Sequence, residues 1–312
     1  MEKNLSDLLP EPAASRLGRI VAFGNQKGGV GKTTTTFNLA TALAERGRKV
    51  LVWDLDVNCG ATRLAGITAD IPIGGTFEVM LGDEQPADVI ITAEDDEGLN
   101  LHPLVNLLPA HAKLEGIEAA LTQVANPFDT TSNVLTKPLA QLKSEYDYIF
   151  LDTSPSMTPP TKAAHLSAPF FVIAAVPDKL AVEGLVQAIK YLSFARKGGN
   201  PDLQLMGVVM SMVPGRATKV SRYFMEQATE ALNSAGDAYG RLFDTHIQAS
   251  TVVQRCQQEN TLLFEVEREH RVTQQYLALA TELEERFALW DAEHAPATGS
   301  GAGSAGAAEG GQ

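Results

Sequence analysis

The chain has 312 residues, 44% of them hydrophobic, with 38 acidic against 25 basic side chains and a formal charge of −13. That length supports one large α/β domain or two small ones around a sizeable core, and no apolar run approaches a membrane span. Cys59 and Cys256 give neither a disulfide framework nor metal-ligand spacing, and the net acidity excludes bulk attraction to nucleic acid, so DNA contact needs a local basic patch.

Residues 1–18 are mixed polar, contain Pro10 and Pro12, and lack a signal-peptide core. They read as a flexible arm on a cytoplasmic protein. The short apolar run Ile20-Val21-Ala22-Phe23 then leads into Gly24-Asn25-Gln26-Lys27-Gly28-Gly29-Val30-Gly31-Lys32-Thr33-Thr34, followed by a helical pattern over 33–46. Strand, glycine loop and helix in this order form a phosphate-binding context. Gly28, Gly29 and Gly31 let backbone N–H groups close on an anionic oxygen, and the helix N-terminus adds positive potential. Lys32 supplies a point charge for phosphates, and the Thr33 hydroxyl is placed to ligate Mg²⁺. The common G-x-x-x-x-G-K-[ST] pattern wants a glycine where Gln26 stands. Read from Lys27, the loop is K-G-G-V-G-K-T-T, with a second lysine five residues before Lys32. In this the chain resembles the ParA/MinD branch of P-loop ATPases.

Residues 49–54 predict a second buried strand, apolar and continuous as parallel sheets require. It ends in Asp54-Leu55-Asp56-Val57-Asn58-Cys59-Gly60-Ala61-Thr62, similar to the family's D-x-D-P-Q-G-N-A-T stretch. The resemblance gives Asp56 the task of activating the attacking water. Asp54 is either a structural cap or a functional group. Val57-Asn58 stand for the family's Pro-Gln, and Cys59-Gly60 for its Gly-Asn. Further on, a loop at 66–75, an apolar segment at 77–81, an acidic turn at 94–97, a strand within 99–107 and a helix over 114–125 are expected. His102 and His111 read as surface or packing residues.

Residues 146–152 form a strand ending in Asp152, then Thr153-Ser154-Pro155-Ser156. This is a Walker B arrangement, in which the aspartate holds Mg²⁺ and the next loop senses the terminal phosphate. The family has proline where Ser154 stands. The next strand, 170–176, ends at Pro177 and Asp178; the resemblance implies that this strand end and the next one help bind the adenine base, which makes Pro177 and Asp178 base contacts. A helix over 180–195 and a strand over 205–213 complete the alternation. It predicts an α/β fold with a doubly wound, mostly parallel sheet flanked by helices.

Arg216, Lys219 and Arg222 follow at three-residue spacing, with Thr218 placed to cap a helix that carries the last two on one face. Relatives grip DNA phosphates with basic residues in this region. Gln248-Ala249 replace a usual Pro-Arg before a helix, with Arg255 one or two turns later and Arg268 and Arg271 beyond. Residues 272–290 predict an amphipathic helix with Leu277, Ala280, Leu283 and Phe287 or Trp290 facing the core. Residues 291–312 are set apart as a disordered Gly/Ala-rich tail, unlike the basic amphipathic helix that docks MinD-type proteins on membrane.

The resemblance covers 19–290, one P-loop ATPase domain. It implies ATP and Mg²⁺ as ligands, with Lys27, Gly28, Gly29, Val30, Gly31, Lys32, Thr33 and Thr34 on the nucleotide and Thr33 with Asp152 on the metal. It further implies an ATP-bound homodimer in which Lys27 reaches the partner subunit's phosphates, non-specific DNA binding through Arg216, Lys219, Arg222 and Arg255, and a ParB-like activating partner. Such a protein partitions chromosomes or plasmids and associates with the nucleoid when ATP-bound. Two other readings stand beside it: a switch that positions a protein cargo without touching DNA, and a small-molecule ligase of the same fold group.

Overall fold

Six strands carry the sheet: β1 (Arg19–Gly24), β2 (Val50–Leu55), β3 (Val105–Leu108), β4 (Tyr148–Thr153), β5 (Phe170–Ala175) and β6 (Gln204–Met210). The computed structural model describes residues 18–67, 74–124, 133–216, 218–236, 240–259 and 261–295. All ladders are parallel, in the order β3-β2-β4-β1-β5-β6. Every residue of β1, β2, β3, β4 and β5 is buried, which is why these strands read as unbroken apolar runs and not as alternation.

Each strand sends alternate residues to opposite faces, and each face has its own core. Val21, Phe23, Val52 and Phe150 pack under α1 (Lys32–Ala44) and the later helices α9 (Thr251–Glu259), α10 (Leu263–Val266) and α11 (Arg271–His294). Ile20, Trp53, Leu151 and Ile173 pack on the other side, which α3 (Thr76–Leu81), α5 (Asn133–Leu142), α6 (Pro159–Ser167), α7 (Lys179–Gly198) and α8 (Lys219–Ala235) cover. The short helices α2 (Gly60–Leu64) and α4 (Ile117–Val124) complete the set. No helix among the described residues is long and apolar enough to cross a membrane.

Several expectations shift. The strand placed within 99–107 begins only at Val105, because Pro103 has no N–H for a ladder. The helices α5 and α6, not anticipated from the sequence, carry Pro138 and the pair Pro159-Pro160; the pair fills the first turn of α6, where the missing N–H groups have no intrahelical partner. The core stripe of α11 runs through Tyr276, Leu279, Ala280, Leu283 and Phe287, with Leu277 and Trp290 only partly buried. The boundary at 290 also moves, since α11 continues to His294 and Asp291 is ion-paired with Arg19 at the start of β1. The arm at 1–17, most of the loop at 66–75, and residues 296–312 of the tail lie outside the described residues.

Candidate active site

The glycine loop leaves β1 at the centre of the sheet and enters α1. Its start is anchored sideways: the Asn25 amide donates to Ala174 O on β5 at 2.7 Å, and Asn25 Oδ1 accepts from the Lys27 N–H at 3.0 Å. Gly29 and Gly31 hold φ of 72° and 80°, the left-handed region that glycine enters without strain. Gly31 is the N-cap of α1 and supplies no side-chain acceptor, so the first N–H groups of the helix face outward as anion donors. Lys32 follows, only 6% exposed. Burial lowers its pKa, while Asp152 and Asp56 pull it back up.

Asp152 lies in register with Phe23 on β1 and Asp54 on β2, so the three strand ends meet at one point. Its Oδ1 accepts from Thr36 Oγ1 at 3.3 Å, and the neighbouring Thr33 hydroxyl favours the charged carboxylate. Its Oδ2 is buried with no hydrogen-bond partner among the described residues. Burial, then the charge of Asp54, push its pKa up to about 8. A buried carboxylate with an unsatisfied oxygen, beside a threonine hydroxyl and a lysine, suits a hard divalent cation that takes its other ligands from phosphate and water. The described residues hold no cluster of three or more His, Cys, Asp or Glu that would cage a metal alone.

The turn after β2 resolves the two aspartates. Asp54 accepts from the Asp56 N–H at 3.0 Å and from Thr62 N–H and Oγ1 at 2.9 and 2.8 Å. It therefore ties both ends of the turn and is structural; burial raises its pKa to about 6 against those bonds. Asp56 stays beside Lys32, accepting through Oδ1 from Asn58 N–H and Nδ2 at 2.9 and 3.0 Å. The replacement of Gly-Asn by Cys59-Gly60 also has a visible consequence. Cys59 takes a left-handed backbone, φ 51°, as the N-cap of α2, where glycine would be unstrained. A Cβ on Gly60 would stand 3.1 Å from Thr33 Oγ1, so a bare residue next to the loop threonine leaves it room.

Pro177 and Asp178 follow β5 at the strand edge. Asp178 Oδ2 is 2.5 Å from Lys27 Nζ, holding the loop's first lysine within its own subunit. A cavity of about 400 Å³ opens against Gly29, Gly31, Thr34 and Thr35 of the loop and α1. Its remaining walls come from Ser211, Met212, residues 247–251, α9 and Tyr276 of α11. Ser211 Oγ donates to Val30 O at 2.6 Å, and Gln257 Nε2 to Thr34 Oγ1 at 3.0 Å, so both walls are tied to the loop. Ser211 and Met212 stand at the end of β6, the second strand end expected near the base, whereas Ile247 and Gln257 were not singled out. One signal was present, since Ser211 closes the apolar run of β6 with a polar residue, as Asp152 closes β4.

Of the basic residues, Arg216, Lys219 and Arg222 gather at the start of α8, all exposed and none ion-paired among the described residues. Thr218 caps that helix as expected, accepting from the Ser221 N–H at 3.0 Å. Arg255 is neutralised by Glu267 and by Glu259 at 4.0 Å, and Arg268 by Glu45 at 2.5 Å.

The AAA domain family matches residues 18–205. The chain is 33% identical over 227 residues to the chromosome partitioning protein ParA of Myxococcus xanthus strain DK1622, covering 69% of this chain and 75% of that protein. It is 33% identical over 218 residues to the sporulation initiation inhibitor protein Soj of Bacillus subtilis strain 168, covering 68% and 82%. Among solved structures, cobyrinic acid a,c-diamide synthase of Mycobacterium smegmatis, with bound ATP analog and magnesium, superposes with a TM-score of 0.69 at 28% identity, covering 87% of this chain and 96% of that one. Loop, strand-end aspartate, sheet order and relatives agree: the chain belongs to the ParA/Soj group of the ParA/MinD family of P-loop ATPases.

Proposed function

We propose that this protein is a DNA-partition ATPase whose ATP-bound form is a homodimer that grips DNA without sequence preference. The observation that carries the reading is Asp152, a buried carboxylate with one oxygen unsatisfied beside Lys32 and Thr33. Thr33 and Asp152 would hold Mg²⁺, which supplies charge neutralisation on the phosphate oxygens when bound. Lys32 and the N–H groups of residues 28–34 bind the phosphates, and Asp56 orients the attacking water. The cavity between the loop, Ser211 and α9 takes the nucleoside. Lys27 leaves Asp178 to reach phosphates held by the second subunit. Arg216, Lys219 and Arg222 then contact DNA phosphates, and a ParB-like partner stimulates hydrolysis and release.

The ion pairs of Arg255 and Arg268 favour a second reading, in which the dimer recognises a protein cargo and not DNA. The likeness to the M. smegmatis synthase favours a third, a small-molecule ligase, which substrate-stimulated ADP release would expose. The deciding test pairs ATP turnover with binding to random-sequence duplex DNA in ATP, ADP or no nucleotide, over a salt series. ATP-dependent, salt-sensitive binding supports partition, and the slope counts phosphate contacts. An ATP dimer that ignores DNA transfers the proposal to a protein cargo.

A further inference from the structure

We infer that Thr76 is a positioning residue for the hydrolytic step: its hydroxyl ends the ladder between β2 and β3 two residues before Asp56, and so fixes where that carboxylate stands. The role rests on the hydrolysis reading above, in which Asp56 orients the attacking water.

The register of β2 on β3 runs from Val50↔Val105 to Trp53↔Leu108, and the Val50 N–H donates to Leu104 O at 2.9 Å. Carried on in steps of two, this pattern brings the Ala110 N–H to Asp54 O. Instead the Ala110 N–H donates to Thr62 Oγ1 at 2.9 Å, and Asp54 O accepts from Thr76 Oγ1 at 2.6 Å. Two threonine hydroxyls stand between the strand ends where the next ladder bond is due. They satisfy both backbone groups and release β2 to turn.

Thr76 is itself fixed from every side. It is fully buried at the start of α3, and its N–H donates to Pro109 O at 2.8 Å. Its hydroxyl has one hydrogen, which the short contact to Asp54 O takes; Pro109 O, 3.1 Å away, already holds the Thr76 N–H. Trp53, also fully buried, donates its indole N–H to the same hydroxyl oxygen at 3.0 Å. A side chain that accepts from an indole and donates to a carbonyl in so closed a space is a hydroxyl. Asp54 Oδ1 and Oδ2 are bonded within the turn, to Asp56 N–H and to Thr62, so with Thr76 on its carbonyl every oxygen of Asp54 is held. On the turn's other side, a Cβ on Gly60 would stand 3.1 Å from Thr33 Oγ1, so the turn has little slack there. Asp56 is thereby left one place, beside Lys32 and only 6% exposed.

The test measures turnover of wild type, Thr76→Ser and Thr76→Val over a range of MgATP, alongside affinity for a non-hydrolysable ATP analogue with Mg²⁺. Thr76→Val removes the donor to Asp54 O and the acceptor of the indole while keeping the branched shape. Its kcat is expected to fall about ten- to hundredfold, the cost of a misplaced reacting group, with KM and analogue affinity within about twofold of wild type. Thr76→Ser keeps the hydroxyl and is expected to restore kcat to within about threefold. Should Thr76→Val not fold, Trp53→Phe/Thr76→Val measured against Trp53→Phe makes the same comparison with one buried group unsatisfied in place of two. Equal losses in kcat and analogue affinity would make Thr76 a support of the fold alone and overturn the assignment. An unchanged kcat in Thr76→Val, or a serine variant as slow as the valine one, would overturn it too. A wild type that binds the analogue but does not turn over MgATP would instead overturn the hydrolysis reading, and this role with it.

Discussion

The pairing of Lys27 with Asp178 gives the most direct test of how the loop works. If Lys27 acts in the opposite subunit, it must leave Asp178 first, and removing the Asp178 charge should make dimerisation easier. The side chains are 26% and 48% exposed, so water screens the 2.5 Å pair. A pair so placed contributes about 0.5–1 kcal/mol. Each dimer breaks two of them, so Asp178→Asn should favour association by about 1–2 kcal/mol, or roughly five- to thirtyfold in the dissociation constant. Sedimentation velocity with a non-hydrolysable ATP analogue and Mg²⁺ reads that constant directly. Lys27→Ala provides the control, because the double-mutant cycle isolates the part of the Asp178 effect that acts through the lysine. Unchanged or weaker association in Asp178→Asn, with analogue binding intact, would refute the idea that this pair restrains the lysine.

Four other outcomes are expected. Asp56→Ala should abolish turnover while leaving an ATP-bound dimer visible by light scattering; a monomer in ATP would contradict the water-orienting role. Joint Arg216, Lys219 and Arg222→Glu should weaken DNA binding and shrink the salt slope by roughly 3 per subunit, with ATPase retained, whereas an unchanged slope would move the contact surface elsewhere. Asp152, raised to about 8, binds a proton in the folded state that the unfolded chain has already lost, so stability of the ligand-free protein should fall as pH rises between about 4 and 8. MgATP needs the carboxylate, so its stabilising effect should grow over the same window; thermal midpoints with and without MgATP measure both trends. Cys59→Gly should relieve the left-handed backbone and stabilise the free protein by about 1 kcal/mol, and a lowered thermal midpoint would show that the thiol's packing matters more.

How far the molecule was readable from its residues follows from the range of the forces involved. The glycine loop, Lys32 and the strand before them are local: backbone freedom at Gly29 and Gly31 and the apolar run of β1 lie within 14 residues, from Arg19 to Lys32. The same holds for β4 and Asp152, and for Thr218, whose capping bond spans three residues. The helices α5 and α6 were illegible because a proline's effect depends on where the helix starts. The cavity beside the loop was illegible for another reason. Ser211, Gln257 and Thr34 meet only after β6 has joined the sheet edge and α9 has folded back on α1. Pro177 and Asp178 sit at a strand end too, but on the side of the loop that faces Lys27.

The charge arrangement at the strand ends carries one step more. Asp54, Asp56 and Asp152 converge there, and the buried cation that opposes them within the subunit is Lys32, since Lys27 is held by Asp178. Without a metal Asp152 keeps its proton, and phosphate alone would still lie beside the Asp56 carboxylate, a repulsion that burial magnifies. A divalent cation at Asp152 reverses the sign at the point where the terminal phosphates lie. The helix N-terminus and Lys32 therefore favour the anion, while the aspartates make its binding conditional on the metal. On the proposed reading, a loop lacking the strand-end carboxylates would hold ATP in either form, whereas this arrangement would select the magnesium complex.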